Sequence, residues 1–236
     1  TWTTKIIATT TTIGQKVENR GQIQGIAHHP PKLLSAILEE FKFEEMTPIQ
    51  QQSIPLAIEN LTMVDIIANA KTGSGKTLAF LIPCLHYLLT KKFRASDGLG
   101  ALILAPTREL AIQIHQVVER IMKQLSTGEN SKDCIQYACI MGGSSKQAEA
   151  NQLKNGVNLI VATPGRLLDH LQTTKNFRTD KCAYWVLDEA DMLIDVGFEQ
   201  AIKRIGSLLP NKETRTTFLF SATLTQKVDD LVAISL

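Results

Sequence analysis

The chain has 236 residues, 44% of them hydrophobic and 20% charged, enough apolar content to bury one large core or two small ones. No apolar run approaches the roughly 18 residues that span a bilayer, and no signal-peptide pattern opens the chain, so neither a membrane span nor a secretory leader is expected. A net charge of +2 excludes a broadly basic surface, so any contact with nucleic acid has to be local. Cys84, Cys134, Cys139 and Cys182 are scattered with no C-x-x-C pair, which suits reduced, packed thiols in an intracellular protein.

In chain order, residues 1–25 are Thr-rich and without periodicity, and read as a flexible or edge-packed leader to a domain at 26–236. The start at Thr1, with no methionine, points to a processed product or an excised piece. His28 and His29 read as exposed loop histidines. Pro30-Pro31 then opens a helix over 32–41, because proline suits a first helical turn. Thr47-Pro48 caps a second helix over 49–59, which carries Gln50.

The apolar run at 64–69 reads as a buried strand that breaks into the Gly-rich turn Gly73-Ser74-Gly75-Lys76-Thr77, with an amphipathic pattern over 78–89 behind it. A Gly/Ser turn alone is only a turn. Strand, Gly-rich loop and helix in that order, with Lys-Thr at the end, form the phosphate-binding loop of nucleotide hydrolases. The glycines let backbone N–H groups approach a phosphate at the positive end of the new helix. Lys76 then reaches the β- and γ-phosphates and Thr77 reaches Mg²⁺. The pattern asks for Gly at position 70, where this chain has Ala70.

Short apolar strands follow at 101–105, 135–141, 158–162, 184–188 and 217–220, with helices expected at 108–125, 146–154, 164–172, 190–193, 199–209 and 225–236. This alternation predicts an α/β fold, a mostly parallel sheet covered by helices on both faces, with ligands at the carboxyl ends of the strands. At one such end stand Asp188-Glu189-Ala190-Asp191. Adjacent acids suit hydrolysis, one ionised near Mg²⁺ and its neighbour activating water. They also suit a solvated acidic start to the next helix.

These residues resemble the DEAD-box RNA helicases over residues 30–236, through AKTGSGKT at 70–77, PTREL at 106–110, Gly142-Gly143, TPGR at 163–166, DEAD at 188–191 and SAT at 221–223. Ala at the first loop position is normal in that family. The resemblance implies a RecA-like P-loop domain that uses ATP and Mg²⁺. Lys76, Asp188 and Glu189 would be its catalytic residues, and Thr72, Gly73, Ser74, Gly75, Lys76 and Thr77 its phosphate loop. Thr77 and Asp188 would hold Mg²⁺, the latter through water. Gln50 would read adenine, with Thr47 in the same motif and Phe43 stacked on the base, although Phe43 taken alone reads as a core aromatic.

The same resemblance implies that single-stranded or short duplex RNA is gripped by its backbone at Pro106, Thr107, Arg108, Gly143, Thr163, Pro164, Gly165 and Arg166. Hydroxyls, backbone amides and helix N-termini bind phosphate without reading sequence, which agrees with the low net charge. Ser221 and Thr223 would couple hydrolysis to strand separation through hydrogen bonds to the loop at 188–191, and a helix cap there is compatible with that role. Two departures stand out. Ile23 to Ile26 occupy the place of an isolated upstream aromatic, and Met63-Val64-Asp65 replaces Gly-Arg-Asp.

The chain stops at Leu236, so the family's second RecA-like domain, with its arginine fingers, is expected to lie outside it. Such arginines are worth about 10³–10⁵ in rate, so slow turnover and no unwinding are expected of this piece, as a monomer. The stretches at 76–83, 165–177, 195–199 and 228–236 look most like nucleolar members that assist ribosome assembly, which implies a nuclear or nucleolar location. A GTPase would need Asn-Lys-x-Asp, and Asn211-Lys212-Glu213-Thr214 lacks the acid. A small-molecule kinase has no use for adjacent Asp188 and Glu189. An RNA-binding scaffold without hydrolysis is disfavoured by the presence of Lys76, Asp188 and Glu189 together.

Overall fold

The computed structural model describes residues 6–9, 31–42, 45–59, 64–126, 135–223 and 225–235. Its strands are β1 (Ile6–Thr9), β2 (Asp65–Asn69), β3 (Ala101–Leu104), β4 (Tyr137–Ile140), β5 (Leu159–Ala162), β6 (Tyr184–Leu187) and β7 (Thr216–Ser221). The α-helices are α1 (Pro31–Phe41), α2 (Pro48–Glu59), α3 (Lys76–Thr90), α4 (Arg108–Leu125), α5 (Lys146–Asn155), α6 (Pro164–Thr173), α7 (Ala190–Asp195), α8 (Glu199–Gly206) and α9 (Gln226–Ser235). The strands form one seven-stranded sheet in the order β1-β2-β7-β6-β3-β5-β4, parallel from β2 to β4.

Every residue of β3, β5, β6 and β7 is buried, as a parallel sheet covered on both faces requires. Edge strand β4 alternates between buried and half-buried instead. The two-residue period of the strands sorts the core into two layers. Ile66, Ala68, Ile103, Val186, Phe218 and Phe220 pack with α1 to α4 on one face. Ile67, Leu102, Leu104, Trp185, Leu187 and Leu219 pack with α5 to α9 on the other. Among the described residues no helix is long and apolar enough to cross a membrane.

Residues 1–25 were expected to be flexible or edge-packed, and within them Ile6–Thr9 form the edge strand of the sheet. This strand pairs antiparallel with β2, from Ile6 opposite Ala68 to Thr9 opposite Asp65. It covers backbone groups that β2 would otherwise leave open at the sheet edge. Residues 10–30, with His28, His29 and the Ile23 to Ile26 stretch, lie outside the described residues. The expected elements agree with the observed ones to within a few residues. The widest differences are β4, shorter than the expected 135–141, and α8, which ends before the expected 209.

Fully buried Asn158 explains why β4 starts late. It accepts from the Gln136 amide at 2.9 Å and donates to the carbonyls of Arg94 and Gly98 at 2.8 and 2.9 Å. That knot ties the amino ends of β3, β4 and β5, opposite the motif loops. Asp65 makes a similar stitch, accepting from the Thr217 amide at 2.7 Å. Cys84, Cys139 and Cys182 are free thiols, and burial raises the latter two to about 11 and about 12. They stay neutral packing groups; Cys134 lies outside the described residues.

Candidate functional site

β2 runs one residue past its end, where the Ala70 amide donates to the Ser221 carbonyl at 2.9 Å. The chain then leaves the sheet through exposed Lys71, Thr72 and Gly73, with Gly73 at φ 79° and Gly75 at φ 89°. Both angles are in the left-handed region that glycine alone enters freely. Gly75 is the N-cap of α3 and offers no side-chain cap, so the first-turn amides of α3 remain free for an anion.

Thr47 and Gln50 come to this loop from α2. Gln50 Nε2 donates to the Gly75 carbonyl at 3.0 Å, and Gln50 Oε1 accepts from the Thr47 amide at 3.0 Å. A Cβ at Gly75 would stand 2.7 Å from both Gln50 Nε2 and Thr47 Oγ1. Among the described residues, Thr47 Oγ1 and Ser74 Oγ are buried and find no hydrogen-bond partner. Phe43 lies outside the described residues.

Across the sheet, β6 ends at Leu187 and delivers Asp188 and Glu189. Lys76 Nζ lies 3.0 Å from Asp188 Oδ1 and 3.2 Å from Glu189 Oε1. Lys76 is 7% exposed and Asp188 is fully buried. Burial pushes the Asp188 carboxyl above the usual carboxylate range, against the opposing pull of Lys76. Glu189 sits at φ 51°, a left-handed conformation costing about 1–2 kcal/mol in a residue with a Cβ. Its amide donates to Asp188 Oδ1 at 3.0 Å, while Asp188 Oδ2 is buried with no partner among the described residues.

That orphaned carboxylate oxygen tests whether the residues fit Mg²⁺. A hard cation with its water shell needs such an oxygen, commonly one or two carboxylates beside phosphate. Asp188 supplies it, and Thr77 stands on the facing loop. The residues fit.

Ser221 ends β7 and Thr223 lies two residues beyond it. The amide and hydroxyl of Thr223 donate to Asp191 Oδ2 at 3.0 and 2.9 Å. The Ser221 hydroxyl donates to the Thr223 carbonyl at 2.6 Å, which links Ser221 to Asp191 through Thr223. Asp191 was not singled out in the sequence, although it stands inside the DEAD motif.

Of the remaining predicted residues, Pro106, Thr107, Arg108, Thr163, Gly165 and Arg166 line an open cleft of about 470 Å³ together with Glu109, Gly142, Asp169 and Phe198, whereas Gly143 and Pro164 are not part of its lining. Thr107 caps α4, accepting from the Leu110 amide at 3.2 Å. Thr163 is the N-cap of α6 with no side-chain cap bond, and Pro164 occupies the first turn. Gly143, at φ 93°, packs so closely on the Arg108 guanidinium that a Cβ there would stand 2.8 Å from it. Beneath the cleft, Glu149 binds Arg166 at 2.8 Å and His170 at 2.9 Å. Glu149 and Phe198 were missed in the sequence. The only hint for Glu149 was its spacing from Leu153, the other buried residue of α5.

The fold and this convergence of phosphate loop and acids define a RecA-like P-loop domain. Residues 47–231 match the family model described as DEAD/DEAH box helicase. The chain belongs to that family. It is 48% identical over 199 residues to the ATP-dependent RNA helicase has1 of Aspergillus terreus, covering 84% of this chain and 32% of that protein. It is 49% identical over 199 residues to the ATP-dependent RNA helicase DDX18 of Homo sapiens, covering 84% of this chain and 28% of that protein. The chain thus spans about a third of the length of the curated relatives it matches. Among solved structures it resembles the yeast DEAD-box splicing factor Prp28 with a TM-score of 0.81 and 35% identity, over 97% of this chain and 52% of that one. Mss116p bound to ssRNA and AMP-PNP gives a TM-score of 0.75 at 34% identity, over 90% of this chain and 42% of that one.

Proposed function

We propose that this chain is the first RecA-like domain of an ATP-dependent RNA helicase, which in the full-length protein hydrolyses ATP with Mg²⁺ and couples that step to local separation of RNA duplexes. The observation that carries the reading is the Lys76 ammonium held between Asp188 and Glu189 at 3.0 and 3.2 Å, where the phosphate loop faces the acidic strand end. In this reading Lys76 exchanges the acids for the β- and γ-phosphates when nucleotide binds. Thr77 and Asp188 are the residues that would hold Mg²⁺, which when bound would supply positive charge against the phosphates. Glu189, released by Lys76, takes a proton from the attacking water. Gln50 and Phe43 receive adenine.

The cleft from Pro106 to Arg166 receives the RNA backbone, a role supported by the ssRNA in the Mss116p complex. Thr223 and Asp191 carry the coupling to hydrolysis. The chain spans about a third of its relatives' length, which supports a second RecA-like domain elsewhere in the parent that supplies arginines to the site, with slow turnover of this chain by itself as a monomer. The similarity to has1 and DDX18 supports a place in ribosome assembly in the nucleolus.

The test is calorimetry with ADP–Mg²⁺ and GDP–Mg²⁺ on this chain. Binding selective for ADP is expected. Equal affinities would remove the adenine-reading role of Gln50, and the absence of any binding would refute the phosphate-loop reading.

A further inference from the structure

Glu149 stands outside every motif, yet the residue is only 5% exposed and its carboxylate accepts from four groups. Oε1 accepts from the Met141 amide at 3.2 Å and the Ser144 hydroxyl at 2.6 Å. Oε2 accepts from Arg166 Nη1 at 2.8 Å and His170 Nε2 at 2.9 Å. A carboxylate only accepts, so Nε2 carries a proton, and on the other side of the ring Nδ1 shares a hydrogen bond of 2.8 Å with the Thr174 hydroxyl. Arg166 Nη1 also reaches the Ser144 carbonyl at 3.4 Å. One buried anion therefore joins the turn holding Gly142 and Gly143 to both ends of α6.

We propose that Glu149 is a positioning residue, which fixes Arg166 and the Gly142-Gly143 turn in the geometry that receives an RNA backbone. The proposal rests on the reading that the cleft binds RNA. A free arginine loses about 2 kcal/mol of rotamer entropy when it is immobilised. Glu149 meets that cost before RNA arrives, and Arg166 still has guanidinium N–H groups for phosphate. Because net charge is only +2, the fixed placement of such a donor counts for more than bulk attraction.

The test uses Glu149→Gln, Arg166→Ala and the double variant of this chain. Glutamine keeps an oxygen for Met141 and Ser144 but turns an amide donor toward Arg166, so the arginine is released while the turn stays held. Affinity for a fluorescein-labelled oligouridylate of about ten nucleotides is read by anisotropy at low salt, with fluorescent ADP titrated in parallel. Each single variant is expected to weaken RNA binding about tenfold, as expected for a charge-assisted hydrogen bond, with ADP affinity unchanged. The double variant is expected to be no weaker than Arg166→Ala, since Glu149 acts through Arg166. Wild-type RNA affinity in Glu149→Gln, additive losses in the double variant, or parallel loss of ADP binding would each overturn the proposal. Tighter RNA binding in Glu149→Gln would also overturn it, because Glu149 would then withhold Arg166. Failure of the wild-type chain to bind the oligonucleotide would remove the RNA reading of the cleft and this proposal with it.

Discussion

Gly75→Ala tests whether the Thr47–Gln50 segment and the phosphate loop form one unit. Gly75 has φ 89°, and a Cβ there would stand 2.7 Å from Gln50 Nε2 and Thr47 Oγ1. Gln50 cannot simply swing away, because it is 5% exposed and both ends of its amide are bonded. The left-handed backbone costs alanine about 1 kcal/mol. Displacing Gln50 loses two hydrogen bonds at about 1 kcal/mol each. The sum, about 3 kcal/mol, corresponds to a fall in Tm of roughly 6–12 °C for a domain of this size. ADP affinity should drop at least about tenfold with it, as the loop and Gln50 no longer share one position. Gly73→Ala is the control, with φ 79° but nothing within 4 Å of the added Cβ, so it loses only the backbone share. Differential scanning calorimetry and ADP titration of the two variants read the difference. If Gly75→Ala melts and binds like Gly73→Ala, the contact with Gln50 does not hold the loop.

Lys76→Ala removes the cation between Asp188 and Glu189 and the proposed phosphate ligand together. ADP affinity by calorimetry should fall about a hundredfold, and an unchanged affinity would refute the role of Lys76. The Glu149 cluster should also leave a signature in acid. Burial works to raise the Glu149 pKa, but hydrogen bonds from Ser144, His170 and Met141 and the Arg166 charge outweigh it and hold the carboxyl below the usual 4.5. A folded-state pKa below the unfolded one stabilises the fold fully above the unfolded value, and that stability is lost as pH falls through the folded value. Urea unfolding should therefore show wild type more stable than Glu149→Gln by roughly 1–3 kcal/mol at neutral pH. The gap should narrow below about pH 4.5, and a gap that widens in acid contradicts the ion-pair assignment.

Strand and helix periods and the phosphate loop are local properties, and they were legible in the chain itself. Runs such as Ala101–Leu104 and Tyr184–Leu187 are apolar throughout because a parallel sheet is buried on both faces, so a continuous run already implies the sheet. Gly73-Ser74-Gly75-Lys76-Thr77 between a strand and a helix likewise implies an anion at the helix start. The meeting of Asp188 with Lys76 followed from two such units in one sheet, each ending at its carboxyl edge.

What the tertiary structure alone decided are contacts between side chains far apart in the chain. No local pattern says that Gln50 bonds the Gly75 carbonyl, that Thr223 rests on Asp191, or that the leader lends a strand to β2. Glu149 is the sharpest case. In the sequence it is one acid on a polar helix, and such acids usually face water. It is buried because Met141, Ser144, Arg166 and His170 converge on it from other segments and together repay its desolvation. Periodicity and motif chemistry are set by neighbours in sequence, whereas the burial of a charge depends on which partners the completed fold brings around it.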